Sequence, residues 1–310
     1  MELREPYGEV ATRPTNPPPT QRVSILGQIN INAFWIANNF HWQALLAIVI
    51  PSMVVKFLGE SNKDINLAMV VAWGTIVAFI VNPLIGAISD YATFRLGRRR
   101  PFMIIGTVLN IIVLIFFAFA PNWIQPGGLL ITFIILFLLL QFSNNVANSP
   151  WSAIIADQVP PKQRGVTAGF NGFFTLLGTA LGALIAGTIV NKNDPLPIYR
   201  NEIVQIFLLI AAVQIVFVAY TILTVKETPL HTEQKFSLKP VLRNFLFDPR
   251  QYPDLSWVLL ARLLLMMGIW GILYFLQYYF DDVLGGPGVK TILFGTAFSG
   301  EKFSGTLFQP

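Results

Sequence analysis

The stretch GAISDYATFRLGRRRP, residues 86–101, lies between two long apolar runs, and its implication for those runs decides the fold. Gly86 permits a neighbouring helix to come close, Asp90 stands where the preceding run ends, and Pro101 suits the first turn of a following helix. Between them Arg95, Gly97, Arg98, Arg99 and Arg100 form a basic turn of the kind that anionic headgroups of an inner leaflet hold. A topology anchor accounts for the arginines alone. It leaves the joint spacing of Gly86, Asp90, Gly97 and the run Arg98 to Pro101 without a reason.

Outward from this turn, the flanking apolar runs cover 66–88 and 102–120, and further runs cover 30–55, 129–149, 165–190, 203–225 and 256–280. At 1.5 Å rise per residue, each run of roughly 19 to 26 residues can cross a hydrocarbon core about 30 Å thick. The chain is 54% hydrophobic and only 12% charged, whereas a soluble domain carries about a quarter charged residues. Lipid cannot satisfy backbone polar groups, and the runs lack the short alternation of barrel strands, so the expected fold class is an all-α membrane protein.

Basic residues fall in every second gap. Arg4, Arg13 and Arg22 precede the first run, Arg95 and Arg98 to Arg100 follow the second, Lys162 and Arg164 follow the fourth, and Lys226, Lys235, Lys239, Arg243 and Arg250 follow the sixth. The intervening gaps hold only Lys56, Lys63, Lys192 and Arg200. This asymmetry predicts a cytoplasmic N-terminus and an outward-running seventh span. It also explains the net charge of +5 without nucleic acid. No organelle signal is visible, which makes the plasma membrane the expected site. The organisation read from composition is a Pro-rich disordered tail at 1–27, a six-helix bundle at 28–225, a cytoplasmic linker at 226–255 with an interfacial helix over 236–247, helix seven at 256–280, and an irregular tail at 281–310.

The segment 86–101 resembles the loop 2–3 signature of the major facilitator superfamily, in the long form that places Asp90 and Gly97 seven residues apart. That form is similar to the loop of the glycoside-pentoside-hexuronide symporters and the plant-type sucrose transporters. Pro150 to Gly165, with Trp151, Asp157 and Arg164, resembles the segment after the fourth span of those groups, and Val225 to Pro229 resembles the close of the sixth. The resemblance covers about residues 30–280. It implies two six-helix halves, each an inverted pair of three-helix repeats, around a solute cavity at mid-depth. The chain is similar to one such half plus a seventh helix, which implies an incomplete carrier whose missing half comes from a second chain or an oligomer. In the family the carboxylate matching Asp90 meets the N-terminus of helix eleven of the other half, which implies that Asp90 here either meets a partner chain or has no receiver.

Polar side chains inside the apolar runs are the candidate solute-binding residues, because burying them in lipid is costly. They are Asn38 and His41 in the first run, beside Trp35 and Trp42; Gln141, Asn145 and Asn148 in the fourth, at i, i+4 and i+7; and Trp270, Tyr274 and Gln277 in the seventh. The alternative reading makes the amides interhelical glue and the rings interfacial belts, and Trp151, Tyr278 and Tyr279, near run ends, are read as belt. The first and fourth runs both carry an Asn-Asn step with a Trp following. Amides beside aromatic rings suit a neutral polyhydroxy solute. Runs one to six carry no Asp, Glu, Lys or Arg in their interiors, a departure from the carboxylates that the resemblance implies for cation-coupled symporters. His41 is the one interior group that titrates near neutrality, either a proton relay or a helix contact. Gly178 and Gly182, in G-x-x-x-G spacing, predict tight helix packing in the fifth run.

No catalytic constellation is present, so the chain is read as a non-enzyme without cofactor, and the lack of Cys excludes thiolate metal sites. The expected function is secondary transport of a small polar solute, a sugar or glycoside, by alternating access. The rival expectation is a transport-incompetent membrane interaction or scaffold protein, or a fragment of a damaged gene.

Overall fold

A computed structural model describes residues 21–124, 130–225, 227 and 253–283, the side chains of 270, 273, 274, 276, 277 and 280–283 excepted. Seven helices result: α1, Ile25–Leu58; α2, Lys63–Asp90; α3, Arg100–Trp123; α4, Leu130–Gln158; α5, Arg164–Ile189; α6, Leu196–Thr224; and α7, Pro253–Val283. Among the described residues no strand occurs. The first six helices are each long and apolar enough to cross a membrane.

The helices outrun the apolar runs that predict them. Helix α4 continues from the expected end at 149 to Gln158, and α6 begins at Leu196 rather than 203. Hydropathy registers what touches hydrocarbon, whereas the backbone ladder continues into the headgroup region wherever caps and packing support it. Helix α1 starts at Ile25, where the Ser24 hydroxyl accepts from the Gly27 amide at 3.1 Å, so the first turn includes residues assigned by composition to the tail. The interfacial helix expected over 236–247 and the tail at 284–310 lie outside the described residues, as do 1–20.

Pro51 shapes α1. It has no N–H to give to the carbonyl one turn back, and the preceding turn, Leu45–Val49, widens to π geometry, with the Ile50 amide donating to the Leu45 carbonyl. Against this turn and the outer part of α1 packs the far end of α7. There the Tyr278 hydroxyl donates to the Pro51 carbonyl at 3.0 Å.

The packing follows a regular scheme. Helix α1 lies against α5 and α6, α4 lies against α2 and α3, and α3 meets α6. Exchanging α1, α2 and α3 for α4, α5 and α6 leaves these main pairings unchanged. Because successive helices alternate in direction, the two triplets are inverted relative to one another, the arrangement of an inverted repeat. Glycines allow the closest approaches: a Cβ on Gly178 would stand 2.5 Å from the Ile36 carbonyl, and one on Gly182 would stand 2.6 Å from the Phe40 carbonyl. The G-x-x-x-G pair of α5 thus seats directly on the α1 backbone, as its spacing predicts.

The two ends of the bundle differ. One end gathers the start of α1, the turn after α2, and the ends of α4 and α6; there Gln163 bonds Val23 and Arg100 donates to the Ile222 carbonyl. At the other end Lys56 donates to the carbonyls of Lys192 at 3.0 Å and Asp194 at 2.8 Å, and the Ser52 and Tyr199 hydroxyls meet at 2.6 Å. An apolar core between Phe57, Phe117, Phe133, Tyr199 and Phe207 fills the latter end.

Candidate functional site

At the first of these ends the motif of residues 86–101 folds into a compact ionic cluster. Gly97 turns the chain with φ of 98°, a left-handed conformation that favours glycine, and the turn buries Arg98 and Arg99. The Arg99 guanidinium pairs with Asp90 and, at 3.1 Å, with Asp157 of α4; Arg98 reaches the other oxygen of Asp157 at 2.5 Å. Arg99 also donates to the Ser89 hydroxyl at 2.6 Å, and its backbone N–H donates to Glu227 at 2.9 Å. Burial pushes the Glu227 carboxyl above its ordinary range, against which the Arg99 and Arg100 backbone hydrogen bonds and the Arg99 charge pull it back. Arg95 is exposed and stands apart from the cluster. The carboxylate of Asp90, expected to face a helix of another half, is engaged within this chain by Arg99.

Further along the helices two groups of polar side chains separate. One is half-buried. The Trp35 indole donates to the Thr175 hydroxyl at 2.5 Å, Asn171 donates to Asn32 at 3.3 Å, and Asn39 donates to the Trp35 carbonyl at 2.7 Å. On α4, Asn145 donates to the Gln141 backbone at 2.8 Å and accepts from Asn82 of α2 at 3.2 Å. Gln141 and Asn148 are half-buried beside it, and the Asn148 side-chain oxygen has no donor. The α1 and α4 groups are joined by rings: Trp151 stacks on Trp35 with centroids 4.6 Å apart and on Phe34 at 5.3 Å.

The second group is buried more deeply. His41 is fully buried, its Nδ1 at 2.8 Å from the Gln214 amide nitrogen of α6. Asn38, Asn110, Asn144 and Gln214 line a small interior cavity between α1, α3, α4 and α6, with Thr107 beside them. The sequence reading groups Asn38 and His41 with Gln141, Asn145 and Asn148; the structure places the first two inside the bundle, the last three along α4. Trp270, Tyr274 and Gln277 lie on α7, but their side chains fall outside the described residues.

Trp151 and Tyr278, read from their positions as interfacial belt, are instead buried. The Trp151 indole donates to the Ile31 carbonyl at 2.8 Å. Distance from a span end fixes depth and leaves open the direction a ring faces, and here both rings turn inward. Asn144 neighbours the candidates of the fourth run, whereas nothing in their spacing singles out Asn82, Asn110 or Gln214 as site residues. Gln214 sits in the middle of a run whose other polar residues, Gln205, Tyr220, Thr221 and Thr224, lie toward its ends, which is the available signal.

A family model described as Major Facilitator Superfamily matches residues 33–306. The chain is 28% identical over 187 residues, 56% of its length, to the sucrose transport protein SUC4 of Arabidopsis thaliana, of which 35% is covered. It is 26% identical over 166 residues, 47% of its length, to the sucrose transport protein SUT5 of Oryza sativa subsp. indica, of which 29% is covered. It is 29% identical over 175 residues, 53% of its length, to the human proton-associated sugar transporter A, of which 23% is covered. The chain thus spans about a third or less of the length of these curated relatives.

Proposed function

The chain belongs to the Major Facilitator Superfamily, and we propose that it serves the transport of a small polar solute of the sugar or glycoside class by alternating access across a plasma membrane. The observation that carries this reading is the half-buried row of Trp35, Asn39, Gln141, Asn148, Asn171 and Thr175, neutral hydrogen-bonding groups beside indole rings within otherwise apolar helices. Such a surface matches a ligand with many hydroxyls and flat apolar faces, and it offers nothing to fix a charged group. The sugar named for the relatives points the same way.

Helix α7 completes the picture. Its first half is exposed, and among the described residues it meets α1 at Tyr278 and its surroundings, at the end opposite the Asp90 cluster. With the basic turns facing the cytoplasm, a path between α1 and α7 opens on the cytoplasmic side. The exposed apolar face of α2, with Trp73, Ile76, Phe79 and Ile80, is the surface on which a second helical half or a second chain would seat.

Thermal unfolding of the purified chain in detergent, screened against sucrose, glucosides, amino acids and nucleosides, tests the reading. A glycoside should raise the midpoint by mass action, and Gln141→Ala and Asn148→Ala should reduce the rise. Stabilisation by amino acids alone, or by no solute in the screen, overturns the sugar assignment. Uptake into proteoliposomes then distinguishes carriage from binding.

A further inference from the structure

The geometry points to a carboxylate-free binding site for one monovalent cation of sodium size within the six-helix bundle, between α1, α3, α4 and α6. The lining residues that carry side-chain oxygens are Asn38, Thr107, Asn110, Asn144 and Gln214. The remaining lining is apolar, from Phe34, Ala37, Ala147 and Val218. The cavity has room for about one water-sized guest.

Three observations converge. First, the side-chain oxygens of Asn38, Asn110 and Gln214 are buried and accept from no donor, on residues 7%, 1% and 5% exposed. An unmet amide oxygen at this depth is costly, and three of them on one small cavity are not scattered defects. The orientation of the Asn110 amide is fixed independently, because its nitrogen donates to the Leu140 carbonyl at 3.3 Å and the Ser143 hydroxyl at 2.9 Å, which turns its oxygen away from those groups.

Second, the number of acceptors exceeds what a water satisfies. One water has two hydrogens to give, and with the Gln214 nitrogen, rather than its oxygen, set against His41 Nδ1, three oxygens lack donors. Asn144 adds an oxygen that accepts from the Trp42 indole at 3.1 Å and keeps a second lone pair. A hard cation coordinates all of them at once, as rings of neutral carbonyl oxygens do when they replace an ion's hydration shell. With no carboxylate in the lining, a divalent ion lacks charge compensation, and the small volume excludes a bulky organic cation.

Third, the amides follow the internal symmetry. The exchange of triplets that preserves the packing sets α1 against α4 and α3 against α6, and the site takes one amide from each: Asn38 and Asn144, Asn110 and Gln214. Each lies within about one helical turn of the centre of its helix, where bulk water is absent. The site is separate from the half-buried row proposed for the solute, and its test uses no solute.

Purified chain is unfolded thermally in Na+, K+ and choline chloride at equal ionic strength, and binding of 22Na+ is measured directly. Sodium at about ten times its dissociation constant should raise the midpoint by about 3 °C over choline, saturably, with about one ion bound per chain. Asn110→Leu and Asn38→Leu should abolish the difference between Na+ and choline, while Asn110→Asp should enlarge it by adding a negative charge to the cage. Tyr220→Phe, on the exposed side of α6, controls for general damage and should leave the sodium effect intact. Equal midpoints in all three salts for the parent chain, with no bound 22Na+, overturn the proposal and leave water as the guest. A sodium effect that survives both leucine variants places the ion elsewhere and overturns it equally.

Discussion

Arg99 holds more of the motif together than its neighbours do, because its guanidinium reaches both Asp90 and Asp157 while its backbone amide meets Glu227. Arg98 shares Asp157, so removing that one carboxylate takes an ion-pair partner from two buried guanidiniums at once, Arg99 keeping Asp90. Asp157→Ala should therefore cost about 3 kcal/mol, a fall of about 5 °C or more in the unfolding midpoint, whereas the exposed Arg95→Ala should leave it unchanged. Equal effects of the two substitutions, compared by scanning calorimetry in detergent, would refute this ranking. Glu227 carries a pH signature of its own. Its folded-state value is raised, so its contribution to stability is full below the unfolded value and is lost as pH rises through the folded one. Glu227→Gln keeps an oxygen for the Arg99 amide and cannot ionise. The variant should match the parent near pH about 4 and gain on it steadily as pH rises. A constant difference in midpoint across the range would show that ionisation of Glu227 is not felt.

At the scale of helices, the contact between α1 and α5 is a backbone contact, since Cβ atoms on Gly178 or Gly182 would press on the carbonyls of Ile36 and Phe40. Neither carbonyl can move without unwinding α1. Gly178→Leu should therefore part the two helices and lower the midpoint by several degrees, a cost of at least about 1–3 kcal/mol. Gly169→Ala, in the second turn of α5 and with open space around it, should be neutral or stabilising by up to about 1 kcal/mol. Parallel thermal scans of the two variants check the contrast, and a Gly178→Leu chain as stable as the parent would mean the helices do not touch there. This packing was legible in the sequence because G-x-x-x-G spacing marks a face by itself. The π turn before Pro51 was not, since a proline announces a missing N–H but not how the ladder will close around it. Nor were the overhangs of α4 and α6, because helix length beyond the hydrocarbon is set by capping and contacts that hydropathy does not register.

For the molecule as a whole, the spans could be read from the chain because lipid thickness alone dictates their length, while the division of the polar residues could not. An amide on a half-buried helix face and one that lines an interior cavity look alike in sequence; Asn38 and Asn39 are adjacent, yet the first is buried and the second half-buried. Only the way α1 rotates against α5 and α6 separates them. Sidedness rests on charge, since the basic turns at residues 95–100 and 162–164 share one end of the bundle and Lys56 with the 191–194 turn occupies the other. The absence of Cys makes this directly measurable, because a single introduced thiol is the one reactive group in the chain. Phe94→Cys, on an exposed residue of the motif turn, should react with a membrane-impermeant maleimide only after the cytoplasmic face is opened, and Asn193→Cys should react in intact cells. The reverse pattern would invert the chain in the membrane and, with it, the side toward which the path between α1 and α7 opens; labelling of both sites from one side would contradict the alternation of helices on which the inverted repeat depends.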